Sequence, residues 1–410
     1  MLNVDGDRLG RRIGELARIG AIEGTEGCCR LALTPQDGAG RDLVVAWMRD
    51  LGMDVAVDGI GNIVAMLAGS EGGAPVMTGS HIDTVATGGR YDGILGVLAG
   101  LEVVESVLDA GLTTRRPLAV GVFTDEEGSR FAPDMLGSLV YVGGLSLEAA
   151  LDTLSIDGAR LGDELDAIGY RGGAPCPGPA PHAFVELHIE QGPVLEAEGV
   201  TIGAVTGVQG ISWTEFTVQG QSNHAGTTPM NLRRDAGHVA YRIAAYIREV
   251  THDLGGSQVG TVGKIDLHPN LVNVVAARAT FTVDLRNTDE AVLQSAESEV
   301  ARYARFVAES EGCEITTRQL ARFAPVEFDE SVVAAVEAAA TARGLSHRRM
   351  PSGAGHDAQM LARVCPTGMV FVPSVGGVSH NPAEYTAPED LTAGANVLAD
   401  VLLSLAGVNR

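Results

Sequence analysis

Positive charge, thiols and long apolar runs are what this chain is short of. Lysine occurs once, at Lys264, and the 28 arginines bring the basic total to 29 against 52 Asp and Glu. A net charge of −23 and a pI near 4.7 argue against nucleic acid and against an anionic membrane surface, since both repel an acidic protein. The five cysteines (28, 29, 176, 313 and 365) form no C-x-x-C pair and leave an odd one over. That is the pattern of free thiols in a reducing cytoplasm. No apolar run reaches 18 residues, and Met1-Leu-Asn-Val-Asp-Gly-Asp7 lacks the apolar stretch of a signal peptide. The expectation is a soluble, cytoplasmic chain with no membrane partner. A G-x-S-x-G elbow is missing too: Ser222 lies in Gly220-Gln-Ser-Asn-His224 and Ser374 in Pro373-Ser-Val-Gly376, which speaks against a serine hydrolase. Gly59-Ile-Gly61 has no third glycine and no adjoining helix start, so a dinucleotide site is not expected. No internal repeat and no low-complexity tract is found.

What the chain has is apolar patterning. Hydrophobic residues make up 45% and mean hydropathy is +0.13. At 410 residues it exceeds one ordinary core, so two domains are expected. Helices are read at 5–20 (Leu9, Ile13 and Leu16 inward), at 40–51 with Gly52 as its stop, and at 93–111. Strands are read around Val55–Val57, at 63–67, up to Met77 and at 117–124, which makes a β-α-β alternation. A Gly/Pro-rich connection spans 171–181. From residue 211 the pattern changes to strand 213–218, helix 233–250, strands 259–267 and 272–285, helix 288–309 and strand 314–320. This β-α-β-β-α-β order predicts a ferredoxin-like α+β insertion over 211–327. The α/β pattern then resumes with helices 330–343 and 357–364, strand 368–373 and helix 388–406. The expected fold class is thus α/β, with a discontinuous domain of residues 1–210 and 328–410 around an inserted one.

Chemistry concentrates where apolar runs end. Ala74-Pro-Val-Met77 leads into Thr78-Gly-Ser-His81-Ile-Asp83, and Asp92-Gly93 stands before the helix whose inner face carries Leu95, Leu98, Leu101, Val104 and Leu108. The carboxyl edge of an open α/β sheet is where ligands bind. Imidazole with carboxylate suits Zn²⁺, Mn²⁺ or a similar divalent ion; the alternative is a helix-capping Asp92 and a solvated His81. Strand 117–124 ends in Asp125-Glu126-Glu127-Gly128. Adjacent carboxylates there repel unless a cation intervenes, and if Glu127 ligates, Glu126 is left free as a base. His188 closes the apolar-alternating Phe184-Val-Glu-Leu-His188-Ile-Glu-Gln191-Gly-Pro193, and His380 lies in the turn Gly376–Glu384. Together His81, Asp92, Glu127, His188 and His380 describe two metals ~3.5–4 Å apart bridged by Asp92. Asp83, two residues from His81, is expected to fix that imidazole's tautomer with its carboxylate.

His81-x-Asp83, Asp92-Gly93, Glu126-Glu127, His188-Ile-Glu-Gln-Gly192 and His380-Asn-Pro-x-Glu384, in that order, resemble the amidase branch of the M20 metallopeptidase-like family. That branch contains N-carbamoyl-L-amino acid hydrolases, β-ureidopropionases and allantoate amidohydrolases. Its peptidase relatives typically carry an acidic residue where this chain has His188. The resemblance spans about residues 10–405 and implies a di-metal aminopeptidase-like catalytic domain with an inserted dimerisation or lid domain. It implies one ion on His81, Asp92 and His188, and a second on Asp92, Glu127 and His380 (Zn²⁺, or Mn²⁺, Co²⁺ or Ni²⁺), with Glu126 as general base. For substrate it implies Gln191, His224, Asn273, Arg286 and the Gly353-Ala-Gly355-His356 loop, with His224 and a metal stabilising the oxyanion. Arg286 would clamp a substrate carboxylate; an ion pair with Asp284 or Asp289 is the alternative. A non-proline cis peptide after Asp92 is implied as well, and so is a homodimer formed through the insertion, with the His224 loop serving the partner's site and hinges near Gly207–Gly210 and Ala324–Phe328. The expected substrate is a small ureido or carbamoyl acid and the expected reaction is hydrolysis of an N-carbamoyl-L-amino acid. Allantoate or a β-ureido acid is the alternative, and a dipeptide a more distant one.

Overall fold

The structure is a computed structural model and describes residues 1–409. It divides into two compact units: Met1–Gly207 with the segment from Glu327 onward, and Val208–Val326.

The first unit opens with α1 (Gly6–Ala17) and α2 (Pro35–Asp50). The strands β1 (Asp54–Val57), β2 (Ile63–Leu67) and β3 (Val76–His81) follow, then α3 (Ile94–Asp109) and β4 (Leu118–Phe123). Three short helices come next: α4 (Leu136–Tyr141), α5 (Leu147–Leu151) and α6 (Leu161–Ala167). After them stand β5 (Ala183–Ile189), α7 (Val194–Glu198) and β6 (Ile202–Val208). The second unit contains β7 (Gly210–Gln219), α8 (Ala236–Leu254), β8 (Val259–His268), β9 (Arg278–Asn287), α9 (Glu290–Ser310) and β10 (Glu314–Phe323). The chain then runs through β11 (Val326–Glu327), α10 (Glu330–Ala342), β12 (His347–Ser352), α11 (Asp357–Leu361), β13 (Thr367–Val372) and α12 (Pro388–Ala406).

The large sheet is mixed, in the order β1-β2-β4-β3-β5-β13-β6-β11, with β12 paired to β6. Its middle, β4-β3-β5-β13, is parallel. Every residue of those four strands is buried, as parallel strands covered on both faces must be. Helix α3 is apolar nearly all round and buried at 13 of its 16 residues. It packs between the sheet and α1 and α12, which explains why it carries no polar face.

The second unit is one antiparallel sheet, β10-β7-β9-β8, in which the fourth, first, third and second strands lie side by side. Inward-pointing Ala279, Phe281, Val283 and Leu285 of β9 alternate with outward Thr280, Thr282, Asp284 and Arg286. Helices α8 and α9 cover the inner face, and Phe216 stacks on Phe281 with ring centroids 5.2 Å apart. Among the described residues no helix is long and apolar enough to cross a membrane.

Several boundaries differ from expectation. Helix α2 begins at Pro35, five residues early: Thr34 Oγ1 accepts from Asp37 N and Asp37 Oδ2 accepts from Leu33 N, a reciprocal cap. The strand expected at 272–285 starts only at Arg278, because Pro269 and Asn270 (φ +55°) begin a turn that runs through Asn273. β6, β12 and the three short helices between 136 and 167 were not expected.

Candidate metal centre

Four neighbouring parallel strands deliver the candidate residues to one edge of the sheet. His81 is the last residue of β3 and lies opposite Phe123, the last of β4. Asp125, Glu126 and Glu127 follow Phe123 directly, turned by the left-handed backbone of Asp125 (φ +56°). His188 pairs with Phe371 of β13, and the chain beyond β13 brings in Ser379 and His380. Asp92 arrives on the loop between β3 and α3. Gly93 is required there: its φ is +67°, and a Cβ would lie 2.3 Å from His81 Nε2.

Asp92 is the centre of the arrangement. Its Oδ1 lies 3.2 Å from His188 Nε2 and 3.9 Å from His81 Nε2. Its Oδ2 lies 3.4 Å from His380 Nε2 and accepts from Gln191 Nε2 (2.8 Å) and Ser379 Oγ (3.0 Å). Glu127 Oε2 is 3.4 Å from His380 Nε2, and Glu126 Oε2 is 3.3 Å from His81 Nε2. Two sets therefore form around Asp92, His81–Asp92–His188 and Asp92–Glu127–His380, and within each the ligand atoms lie within 4.8 Å of one another. A third set, Glu186–His188–His356, shares His188.

The histidine tautomers fit cation binding. His188 Nδ1 donates to the Ile189 carbonyl at 2.8 Å and His81 Nδ1 to the Asp83 carbonyl at 2.9 Å. With Nδ1 carrying a proton, His81 Nε2 turns its lone pair toward the carboxylate oxygens of Glu126 and Asp92, while His188 Nε2, beside Asp92 Oδ1, also lies 3.1 Å from the Gly93 amide. Facing acceptors repel unless a cation or a proton stands between them. Asp83 departs from expectation here. Its main-chain oxygen, not its carboxylate, holds His81; the carboxylate lies 3.9 Å from Nδ1 and accepts from the amides of Glu126 and Glu127.

Burial sharpens the imbalance. Desolvation, then Asp357, Glu127 and the neighbouring aspartates, push Glu126 far above the ordinary carboxyl range. Desolvation and then Asp92 do the same to Glu127. Burial and then Asp92 raise Glu384 to about 7 against the hydrogen bonds it accepts from Tyr91, Ser379 and Asp92; burial and then Asp37 raise Asp83 to about 7. Burial pushes His81 down to about 4. For His188 burial is opposed by the hydrogen bond to Asp92, and the result is a rise to about 9. Asp92, despite its burial, is held well below the ordinary range by its contacts with His188 and His380. Excess buried carboxylate with basic imidazole nitrogens is a donor set for a divalent ion of Zn²⁺ or Mn²⁺ type, so these residues fit a metal.

The other predicted residues fall in different places. His356 is 1% exposed, its Nε2 is 2.8 Å from Ser352 Oγ, and its ring packs edge-on against His188 at 4.5 Å. It thus stands behind a ligand, with Gly355 beside Met135. In the second unit, His224 and Asn273 lie on adjoining loops, the Ala225 amide donating to the Asn273 carbonyl. His224 Nδ1 accepts from the amides of Gly226 and Thr227. Arg286 is engaged by Asp284, with Nε 3.1 Å from both carboxylate oxygens and Nη2 3.0 Å from Oδ2, since two residues apart on a strand share a face. Among the described residues the cis peptides are the X-Pro bonds at Pro133, Pro177 and Pro269. Asp92–Gly93 is therefore trans, which corrects the expected cis bond: glycine's positive φ makes the turn instead. Sequence reasoning named Glu384 only as the end of the His380-Asn-Pro-x-Glu384 motif and gave no role to it or to Ser379, Glu186 or Asp357, all of which border the centre.

A mixed α/β chain that gathers imidazoles and carboxylates in this way has the build of a metallohydrolase. Residues 77–404 match peptidase family M20/M25/M40, and the chain belongs to that family. It is 42% identical over 407 residues to an N-carbamoyl-L-amino-acid amidohydrolase of Rhizobium meliloti, covering 99% of this chain and 97% of that one. It is 40% identical over 409 residues to an N-carbamoyl-L-amino acid amidohydrolase of Geobacillus stearothermophilus, covering 98% and 99%. A crystal structure of an amidase of the hydantoinase/carbamoylase family from Burkholderia multivorans superposes with a TM-score of 0.96 at 48% identity, covering 99% of this chain and 98% of that one.

Proposed function

We propose that this chain is a metal-dependent amidohydrolase that cleaves N-carbamoyl-L-amino acids to the amino acid, CO2 and ammonia. The observation that carries the reading is the buried Glu126 carboxylate, standing beside but outside the two ligand sets, in a chain that aligns end to end with carbamoyl amidohydrolases.

His81, Asp92 and His188 would hold one divalent ion and Asp92, Glu127 and His380 a second. Such a pair supplies Lewis acidity toward the ureido oxygen and a water nucleophile near neutral pH. Glu126, its pKa raised by burial, accepts the water proton as the oxygen adds to the ureido carbon. When the C–N bond breaks, Glu126 returns that proton to the departing nitrogen, and the carbamate left behind falls to CO2 and ammonia. Among the described residues the buried Oε1 of Gln191 has no hydrogen-bond partner, which suits a ureido N–H. The Gly355–His356 loop borders the same site. His224 and Asn273 would contact the substrate from the second unit, and Arg286 would exchange Asp284 for the substrate carboxylate. That unit, Val208–Val326, would pair with its copy in a homodimer and act as the lid over the metal-binding domain.

The test is a panel assay. Chelator-treated protein resupplied with Zn²⁺, Mn²⁺, Co²⁺ or Ni²⁺ is offered N-carbamoyl-L-amino acids, a β-ureido acid, allantoate and a dipeptide, with ammonia and amino acid measured. Metal-dependent turnover of the carbamoyl amino acids is expected. Full activity without metal, or preference for another member of the panel, overturns the reading.

A further inference from the structure

We infer that Glu384, with Ser379, is the positioning element that locks the loop bearing Asp92 to the turn bearing His380, and so sets the spacing of the metal ligands. Glu384 is 3% exposed. Its Oε1 accepts from the main-chain amides of Tyr91 (3.0 Å) and Asp92 (3.2 Å). Its Oε2 accepts from Ser379 Oγ at 3.0 Å, and the same hydroxyl lies 3.0 Å from Asp92 Oδ2. One carboxylate thus grips the backbone of Asp92, and the serine hydroxyl, with a single proton, bridges that carboxylate and the carboxylate of Asp92.

Both segments are shaped for the clamp. A side chain at Gly89 would place Cβ 2.0 Å from Glu384 Oε1, so glycine leaves the room the carboxylate fills. On the other side, Asn381 turns the chain: its carbonyl accepts from Glu384 N and its Oδ1 from Ala383 N, both at 2.9 Å. Tyr91 and Tyr385 meet edge-on at 6.2 Å. These contacts join residues 293 positions apart. They matter because His380, on an exposed turn with a side chain 52% open, has no strand of its own to hold it opposite Asp92 and Glu127. Nothing in the ligand set itself fixes that distance. Glu384 belongs to neither ligand set around Asp92, and acts through Asp92 and Ser379.

The inference rests on the proposed metal site but not on the proposed substrate, and its test reads metal binding. Divalent-ion affinity is measured by competition with a chromogenic chelator, using Zn²⁺ or Mn²⁺, on wild type, Glu384→Ala, Glu384→Gln and Ser379→Ala. Removing a group that orients ligands costs about 10–100-fold in affinity, so Glu384→Ala is expected to lose that much. Ser379→Ala, which keeps the backbone grip, is expected to lose less. Glu384→Gln is expected to stay near wild type, because its Oε1 still accepts from Tyr91 and Asp92 while its amide donates to Ser379. Activity of Glu384→Ala should return at high metal with KM little changed. Wild-type affinity in Glu384→Ala, or Glu384→Gln as weak as Glu384→Ala, overturns the inference. If Glu384→Ala does not fold, the comparison of Ser379→Ala with Glu384→Gln decides: equal affinity in both, at the wild-type level, overturns it. Inactivity of all proteins on carbamoyl substrates alongside the expected affinity order would sink the substrate reading alone.

Discussion

Gly93→Ala tests how tightly the metal centre is built. At φ +67° and ψ −46°, a sparsely populated backbone region, an alanine costs about 1–3 kcal/mol. The larger effect is steric. The new methyl falls 2.3–2.4 Å from Nε2, Cδ2 and Cε1 of His81, whereas ordinary carbon contacts lie at about 3.5–4.0 Å. The imidazole must retreat by about 1 Å. It has nowhere easy to go, being 2% exposed, tied through Nδ1 to the Asp83 carbonyl and flanked by Glu126. A 1 Å misplacement of an active-site group costs on the order of 100-fold in rate, and here a ligand is the group misplaced. Gly52→Ala is the control: its φ is +72°, at the end of α2, and a methyl there meets open space. Denaturant melts should show Gly93→Ala losing more stability than Gly52→Ala, because only the former adds a clash with buried His81 to the backbone cost. Chelator competition and kcat/KM with excess metal should show the loss of affinity and the roughly 100-fold loss of rate in Gly93→Ala only. A Gly93→Ala enzyme that binds metal and turns over within roughly threefold of Gly52→Ala would refute the reasoning.

Replacing Glu126 by Gln should lower kcat by about 10²–10⁴-fold with metal content unchanged, because only the base is removed; a loss below about tenfold points to another base. Metal-free protein should lose thermal stability as pH rises from about 6.5 to 9. The sign follows from the raised groups. His188, raised from 6.5 to about 9, keeps a proton in the folded state that the unfolded chain has released across this window, so its contribution fades as pH climbs; that of Asp83, raised from 3.8 to about 7, is largely lost by the lower end. A melting temperature that is flat or rising with pH in chelator contradicts this, and excess metal should flatten the slope. Subunit exchange between inactive Glu126→Gln and His224→Ala proteins should restore activity if His224 serves the partner's site. A mixture that stays dead places His224 in its own subunit's site.

His81 and His188 were readable because each stands at the end of a buried strand, and Glu127 because it follows one by four residues; Asp92 on its loop and His380 on its turn were marked by the motifs around them. A residue of metal-binding type at such a strand end is carried to the sheet edge whatever the rest of the chain does. Glu384 and Ser379 had no such local mark: their partners are backbone amides and a carboxylate 293 and 287 positions away. The role of Asp83 hinged on which of its oxygens turns toward His81, a matter of torsions that a two-residue spacing leaves open. Gly38 and Gly40 lie inside α2, where their missing side chains leave room for Ile168 and Arg30. The helices between 136 and 167 are five to seven residues long, too short for an apolar period to repeat. β12, His347-Arg-Arg-Met-Pro-Ser352, has no alternation and is defined by its pairing with β6.

The acidity of the chain and the composition of the centre bear on each other. Asp83, Asp92, Glu126, Glu127 and Glu384 are packed at one sheet edge, and burial with mutual repulsion raises every one except Asp92. Such a cluster opposes folding when bare. A divalent ion that binds only the folded arrangement stabilises it in proportion to the logarithm of its concentration over its dissociation constant. The carboxylates that strain the empty site are then the source of its affinity. Glu384 occupies a particular position in that balance: it adds a buried charge near Asp92, which disfavours the empty state, while accepting the two amides that hold Asp92 in place. Its geometry and its charge therefore act in the same direction, toward a centre that is poorly stable without metal and narrowly defined with it.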